Sequence, residues 1–175
     1  MKVLLTGALG NIGGYTAHAL LEEGHDVVAF DLESPRARRA ASRLDARVRV
    51  VGGAVTDSAS LAAALEGVQA VVHLAAVLAP DENAPDLARR VNVDATLGLI
   101  ARMEASPTAR RLVFASSQAI FGDVQDREPP LRVETPLRPT NEYGRHKAAC
   151  EQAIRESGLS WTILRLAVVP PTRLI

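Results

Sequence analysis

The sequence predicts an α/β fold, a doubly wound parallel sheet of about six strands with helices on both faces. Three observations carry that expectation. Short apolar runs alternate with longer amphipathic stretches along all 175 residues. The runs are apolar at consecutive positions, as strands covered on both faces are, instead of alternating apolar with polar. A glycine cluster, TGALGNIGG, joins the first run to the first amphipathic stretch, where a strand must turn sharply into a helix.

Each element follows in order. Val3-Leu4-Leu5 is the first strand, and Asn11 to Glu23 the first helix, with Gly24 placed for a left-handed residue past its end. Val27 to Phe30 is the second strand, closed by Asp31. Ser34 caps a helix over Pro35 to Leu44, and Val48 to Val51 is the third strand. Asp57 caps Ser58 to Glu66, which Gly67 ends, and Ala70 to Leu74 is the fourth strand. Pro85 to Glu104 reads as a long helix and Leu112-Val113-Phe114 as the fifth strand. The proline-rich segment Gln118 to Thr140 is irregular. It follows a strand's carboxyl end, where open parallel sheets bind ligands, so it is expected to wall a substrate site. Asn141 to Glu156 is the last helix, expected to end at Gly158, and Thr162 to Leu166 is the sixth strand. No repeat or linker interrupts the chain, so residues 1–175 form one domain.

Composition excludes several functions. Twenty basic residues balance twenty acidic ones, without a basic stripe, which removes the electrostatic case for nucleic acid. The single cysteine, Cys150, excludes a disulfide framework and fits a reducing cytoplasm. No apolar run approaches the roughly 18 residues of a membrane span, and no signal peptide is evident after Lys2. A soluble, cytoplasmic chain is expected. His18, His25 and His146 have no ligand spacing with carboxylates or Cys150, so no metal is expected, and His73 reads as a locally bonded core histidine.

The glycine motif is Gly7-Ala8-Leu9-Gly10-Asn11-Ile12-Gly13. Gly7 permits the turn, Gly10 lets a pyrophosphate approach the backbone, and Gly13 lets helix and strand pack closely. The helix start then offers free N–H groups to phosphate. Asp31, ending the second strand, can accept bonds from ribose hydroxyls, which completes a dinucleotide site. Its charge repels a 2′-phosphate, favouring NAD over NADP. Arg36, Arg38 and Arg39 leave an NADP site open, against the plainer reading of a solvated helix face.

A second constellation lies in RPTNEYGRHKAACE. Tyr143 and Lys147 stand at i and i+4 and project from one helix face, where an ammonium favours the phenolate and lowers the tyrosine pKa. Ser116 and Ser117 end the fifth strand, where a hydroxyl can point at a ligand.

With these motifs the chain resembles the extended short-chain dehydrogenase/reductases, specifically the NAD-dependent epimerase/dehydratase family. The resemblance runs through TGALGNIGG, HDVVAFD, VVHLAA, VNVDAT, FASSQAIFG, ETPLRPTNEYGRHK and WTILRLAVVPP. It implies a Rossmann domain with Ser117 as catalytic hydroxyl, Tyr143 as general acid/base and Lys147 binding nicotinamide ribose while tuning Tyr143. It places Asn11 and Ile12 at the pyrophosphate and Leu32 beside Asp31. Ala54 and Val55 fall at the adenine, and Leu74, Ala75 and Ala76 along the cofactor groove. Asn92 matches a position near cofactor and active site, with a satisfied helix asparagine as the plainer reading.

Departures from the family pattern narrow the function. Ala54 stands where an adenine-contacting aspartate is usual, and Phe121 replaces a tyrosine before Gly122. Gln118 and Ala119 stand where 4,6-dehydratases carry an acidic pair, which disfavours elimination. Val168 replaces an asparagine usual in nucleotide-sugar enzymes. Family members generally continue into a substrate-binding lobe, most of which this chain is expected to lack.

The resemblance implies an NAD-dependent epimerase or dehydrogenase acting by hydride transfer at a carbinol of a small, sugar-like substrate. The competing expectation is a non-catalytic NAD-binding module or truncated relic. A homodimer through Pro85 to Glu104 and Asn141 to Glu156 is also expected. Leu87, Val91, Leu97, Leu99, Ile100 and Met103 give the first of these helices more than one apolar face.

Overall fold

The computed structural model describes residues 1–78, 84, 86–123 and 130–170. Pro85, part of the long loop (124–129) and residues 171–175 lie outside the described residues. The first half runs Lys2–Thr6 (β1), Asn11–Glu22 (α1), Asp26–Asp31 (β2), Pro35–Ala41 (α2), Arg49–Gly52 (β3), Ser58–Ala64 (α3) and Ala70–His73 (β4). Leu87–Arg89 (α4), a π-helical turn over Arg90–Asp94 and Ala95–Ala105 (α5) follow without a break. Arg111–Ser117 (β5), a 3₁₀ turn over Gln118–Phe121, Glu142–Glu156 (α6) and Ser160–Leu166 (β6) complete the chain.

All pairings are parallel and the strand order is β3-β2-β1-β4-β5-β6. This is the doubly wound Rossmann order, which reverses between β1 and β4 and opens a crevice at the carboxyl ends of those strands. Side chains alternate between the two faces of each strand. Leu4, Val28, Phe30, Val71, Leu112 and Phe114 therefore pack with Leu61, Leu99, Met103 and Ile154 on one side. Leu5, Val27 and Ala29 pack with Ala17 and Leu21 of α1 on the other.

The helix signals behave as the residue chemistry requires, with one exception. Ser34 Oγ accepts from the Ala37 amide at 3.0 Å, and the Asp57 carboxylate from those of Ala59 and Ser60 at 3.2 Å. Gly24 and Gly67 hold φ of 75° and 67°. Gly158 does not end α6 in a left-handed turn. Ser157 does so in extended backbone, its hydroxyl donating to Ile154 O at 2.7 Å, while the Gly158 amide donates to Glu104 at 2.8 Å. The outer strands also depart from full burial. β3 and β6 are the sheet's two edges, and Val50, Trp161 and Leu164 remain exposed there.

The helix expected over Pro85 to Glu104 is not uniform. Its π turn centres on Asn92, which is buried, and whose amide clamps Val77 through both backbone groups, at 2.7 Å to N and 2.8 Å to O. The widened turn frees the Asn92 carbonyl, which accepts from Thr96 Oγ1 at 2.8 Å and Cys150 Sγ at 3.0 Å.

Candidate active site

The glycine loop forms the first wall of a groove of about 800 Å³. Gly7 has φ 68° and presses on the turn after β4, where a Cβ would lie 2.8 Å from Ala75 N. A Cβ on Gly13 would collide with the carbonyl oxygens of Gly7 and Ala8, so only glycine lets α1 sit this close to β1. Gly10 is the N-cap of α1, with no side-chain cap bond and no acidic residue in the first turn. The start of α1 can therefore turn its N-terminal end toward an anion.

Asp31 does more than its position at the end of β2 suggested. Its carboxylate accepts from Leu9 N and Leu32 N, each at 2.8 Å, tying the glycine loop to β2. Each carboxylate oxygen retains capacity for a further donor, such as a ribose hydroxyl. Leu32, Ala54 and Val55 line the groove with Asp31, and Leu74, Ala75 and Ala76 line it beside the loop. Arg36, Arg38 and Arg39 are exposed on α2 and do not line it.

Asn92 is the one expected cofactor residue that the fold places elsewhere. Both ends of its amide are committed to Val77, so it shapes the groove from behind without lining it. The π turn that carries it has no signature in periodicity.

At the other end stand Ser117, Tyr143 and Lys147. Strand alternation divides the serine pair. Ser116 is buried and donates to Glu151 Oε1 at 2.6 Å, whereas Ser117 faces the groove and accepts from the Ala119 amide at 3.2 Å. That bond occupies a lone pair and leaves the Ser117 hydroxyl hydrogen free to donate.

Lys147 differs from expectation. It is 3 % exposed, its Nζ donates to Ala115 O at 2.7 Å, and it lies 4.5 Å from the Phe114 ring centroid and 5.7 Å from that of Tyr143. Burial disfavours the charged form and lowers its pKa to about 8. Burial likewise pushes Tyr143 above its ordinary value. The protein alone therefore does not lower the Tyr143 pKa as the i, i+4 spacing implied.

Behind Ser117 lies a network that sequence reasoning missed. Buried Glu151 receives Ser116 Oγ and a fork from Arg165, with Nε to Oε1 at 3.1 Å and Nη2 to Oε2 at 2.8 Å. Arg165 Nη1 also donates to Val133 O at 2.9 Å, and the guanidinium stacks 5.1 Å from the Phe121 ring. Burial alone would raise the Glu151 pKa, but the bonds and charge from Arg165 hold it below the ordinary value. One α6 carboxylate thus fixes the end of β5 and orients Arg165, which holds the loop at Val133. The available signal was an arginine inside the otherwise apolar run Thr162 to Leu166.

A dinucleotide fits this groove: an open helix N-terminus behind glycines for the pyrophosphate, a carboxylate at the end of β2 for a ribose, and small residues between. The model of the NAD-dependent epimerase/dehydratase family matches residues 3–170. The chain belongs to that family. The cofactor of the family is NAD. The chain is 34% identical over 171 residues to a UDP-glucose 4-epimerase of Corynebacterium glutamicum, covering 94% of this chain and 50% of that protein. It is 32% identical to a D-erythronate dehydrogenase of Cupriavidus necator, over 97% of this chain and 55% of that one. Among solved structures, the Bordetella bronchiseptica enzyme WbmG in complex with NAD superposes with a TM-score of 0.84 at 27% identity, over 99% of this chain and 55% of that one. The chain spans about half the length of the curated relatives it matches.

Proposed function

We propose that residues 1–175 form an NAD-binding Rossmann domain carrying a Ser117, Tyr143 and Lys147 active site for hydride transfer at a carbinol of a sugar or sugar-derived substrate. The observation that carries this reading is the convergence of the glycine loop, Asp31 and all three of those residues on one groove. When bound, the nicotinamide supplies the acceptor and donor of hydride. The chain's own residues handle the proton and the oxygen. Tyr143 takes the proton of the substrate hydroxyl and returns it in the reverse direction. Ser117 donates its free hydroxyl hydrogen to the same oxygen. Lys147 puts a positive charge behind Tyr143, and at about pH 8 it stands near its own titration.

Retention and re-reduction of the ketone from its other face gives epimerisation, and its release gives dehydrogenation. The two named relatives are one of each kind. A UDP-linked or acidic sugar is the substrate class those names support. Elimination is disfavoured because Gln118 and Ala119, which line the groove, carry no carboxylate.

NADH absorbance with candidate sugars tests the reading. Conversion without NADH marks an epimerase, and accumulating NADH a dehydrogenase. Tyr143→Phe is expected to lower turnover by about 10²–10⁴ while retaining NAD binding. Undiminished turnover refutes the assignment, and NAD binding without turnover of any sugar by the wild-type chain favours the binding-module alternative. Asp31→Ala is expected to weaken NAD more than NADP in calorimetric titration.

A cytoplasmic location and a homodimer belong to the same reading. The first is supported by a single free, buried cysteine. For the second, the contact face changes. Leu99, Ile100 and Met103 are buried in the core, whereas Leu97 is 43% exposed on α5 and is the residue available to a partner.

A further inference from the structure

His73 lies at the end of β4, directly behind the groove, 1 % exposed. Four polar groups around it form a chain of hydrogen bonds through the ring. Ala75 N donates to Thr6 Oγ1 at 3.4 Å, and Thr6 Oγ1 lies 2.6 Å from His73 Nδ1. His73 Nε2 lies 3.1 Å from Thr96 Oγ1, which donates to Asn92 O at 2.8 Å. Each hydroxyl has one hydrogen to give, and this decides the direction of every bond. Thr96 gives its hydrogen to the Asn92 carbonyl, so it must accept from His73 Nε2–H. His73 Nδ1 is then bare and accepts from Thr6, whose oxygen accepts from the Ala75 amide. The opposite arrangement would aim two donors at Thr6 Oγ1 and leave its own hydrogen without an acceptor in a fully buried site.

We infer that His73 is a positioning residue held as a single neutral tautomer, protonated at Nε2, that links the Ala75 wall of the cofactor groove to the π turn at Asn92. Ala75 is the residue against which Gly7 packs, and Asn92 holds Val77, so this one ring spaces both ends of the turn that lines the groove. The charged form is excluded: burial and the nearby Lys147 ammonium lower its pKa to about 3. The Phe114 ring packs beside it at 5.9 Å between centroids and offers no counter-charge. The β4 segment Ala70 to Leu74 thus carries a polar residue because the turn beyond it must be spaced.

Long-range ¹H–¹⁵N spectra of the full, ¹⁵N-labelled chain read the tautomer directly. The Nδ1 resonance is expected in the unprotonated range and Nε2 in the protonated range, both unchanged from about pH 5.5 to 8, where an ordinary histidine titrates. A protonated Nδ1, or a titration in that window, overturns the assignment. Positioning is tested separately by NAD⁺ calorimetry on two variants. His73→Asn keeps an acceptor near Nδ1 and is expected to bind within about threefold of wild type, whereas His73→Gln, which reaches only the Nε2 position, is expected to lose about tenfold. Wild-type affinity in both variants overturns the positioning role. The wild-type titration shows independently whether the groove binds NAD⁺, and the spectra stand whatever its result.

Discussion

Replacing Lys147 by Met isolates what a buried ammonium costs this fold. The side chain is almost fully buried, and its pKa falls from 10.5 to about 8, first because of burial. Below about pH 8 the amine is charged in both the native and the unfolded chain, so its contribution does not vary. Between about pH 8 and 10.5 the unfolded chain keeps the proton and the native state loses it. Stability rises with pH wherever the unfolded state binds more protons, here by about 1.36 kcal/mol per pH unit. Over that window wild type is expected to gain up to about 3 kcal/mol relative to Lys147→Met. Burial raises Tyr143 and Cys150, which gives them the opposite slope. Tyr143 is present in both proteins and leaves the difference, whereas Cys150 loses the lowering effect of the Lys147 charge in the variant, which steepens the variant's fall and adds to the difference in the same direction. Urea denaturation of the two proteins at closely spaced pH values from about 7 to 10 measures it. A difference that stays flat, or that falls as pH rises, refutes a depressed native pKa for Lys147.

Three further outcomes follow from the geometry. Gly13→Ala must push α1 away from the carbonyls of Gly7 and Ala8; it is expected to cost about 1–3 kcal/mol in thermal unfolding and to abolish calorimetric NAD binding. Arg165→Met leaves the buried Glu151 carboxylate with Ser116 and the Arg155 guanidinium at 3.5 Å but without its fork, and a loss of about 1–3 kcal/mol is expected in denaturant titration. Leu97→Glu is expected to shift light scattering from the proposed dimer to monomer and to lower the melting temperature only by the lost, concentration-dependent association, whereas Leu99→Glu is expected to unfold the chain because it charges the core.

The sequence by itself determined what depends on neighbours along the chain. Consecutive apolar residues at Val3 to Leu5 and Ala70 to Val72 specify buried strands, because both strand faces are covered in a parallel sheet. The spacing of Gly7, Gly10 and Gly13 specifies the loop, because each contact that excludes a Cβ there lies within a strand–turn–helix unit or on the adjacent strand end. Ser34 and Asp57 act on backbone amides of the helices they start, so their capping roles were legible too. Tyr143 and Lys147 were legible as a pair by helical period.

Tertiary structure decided everything that needs two distant segments to meet. Which strands are edges depends on the order β3-β2-β1-β4-β5-β6, which no single segment encodes. Lys147 serves Ala115 O because α6 lies across β5, and the same crossing buries the amine and depresses its pKa. Asn92 turns toward Val77 instead of the groove because the π turn rotates it there, a local winding that periodicity does not announce. Glu151 with Arg165, and His73 with Thr6 and Thr96, are buried polar groups whose partners lie on other elements. Burial removes water as a partner and makes each such pairing obligatory, yet only the packed fold brings the partners within reach.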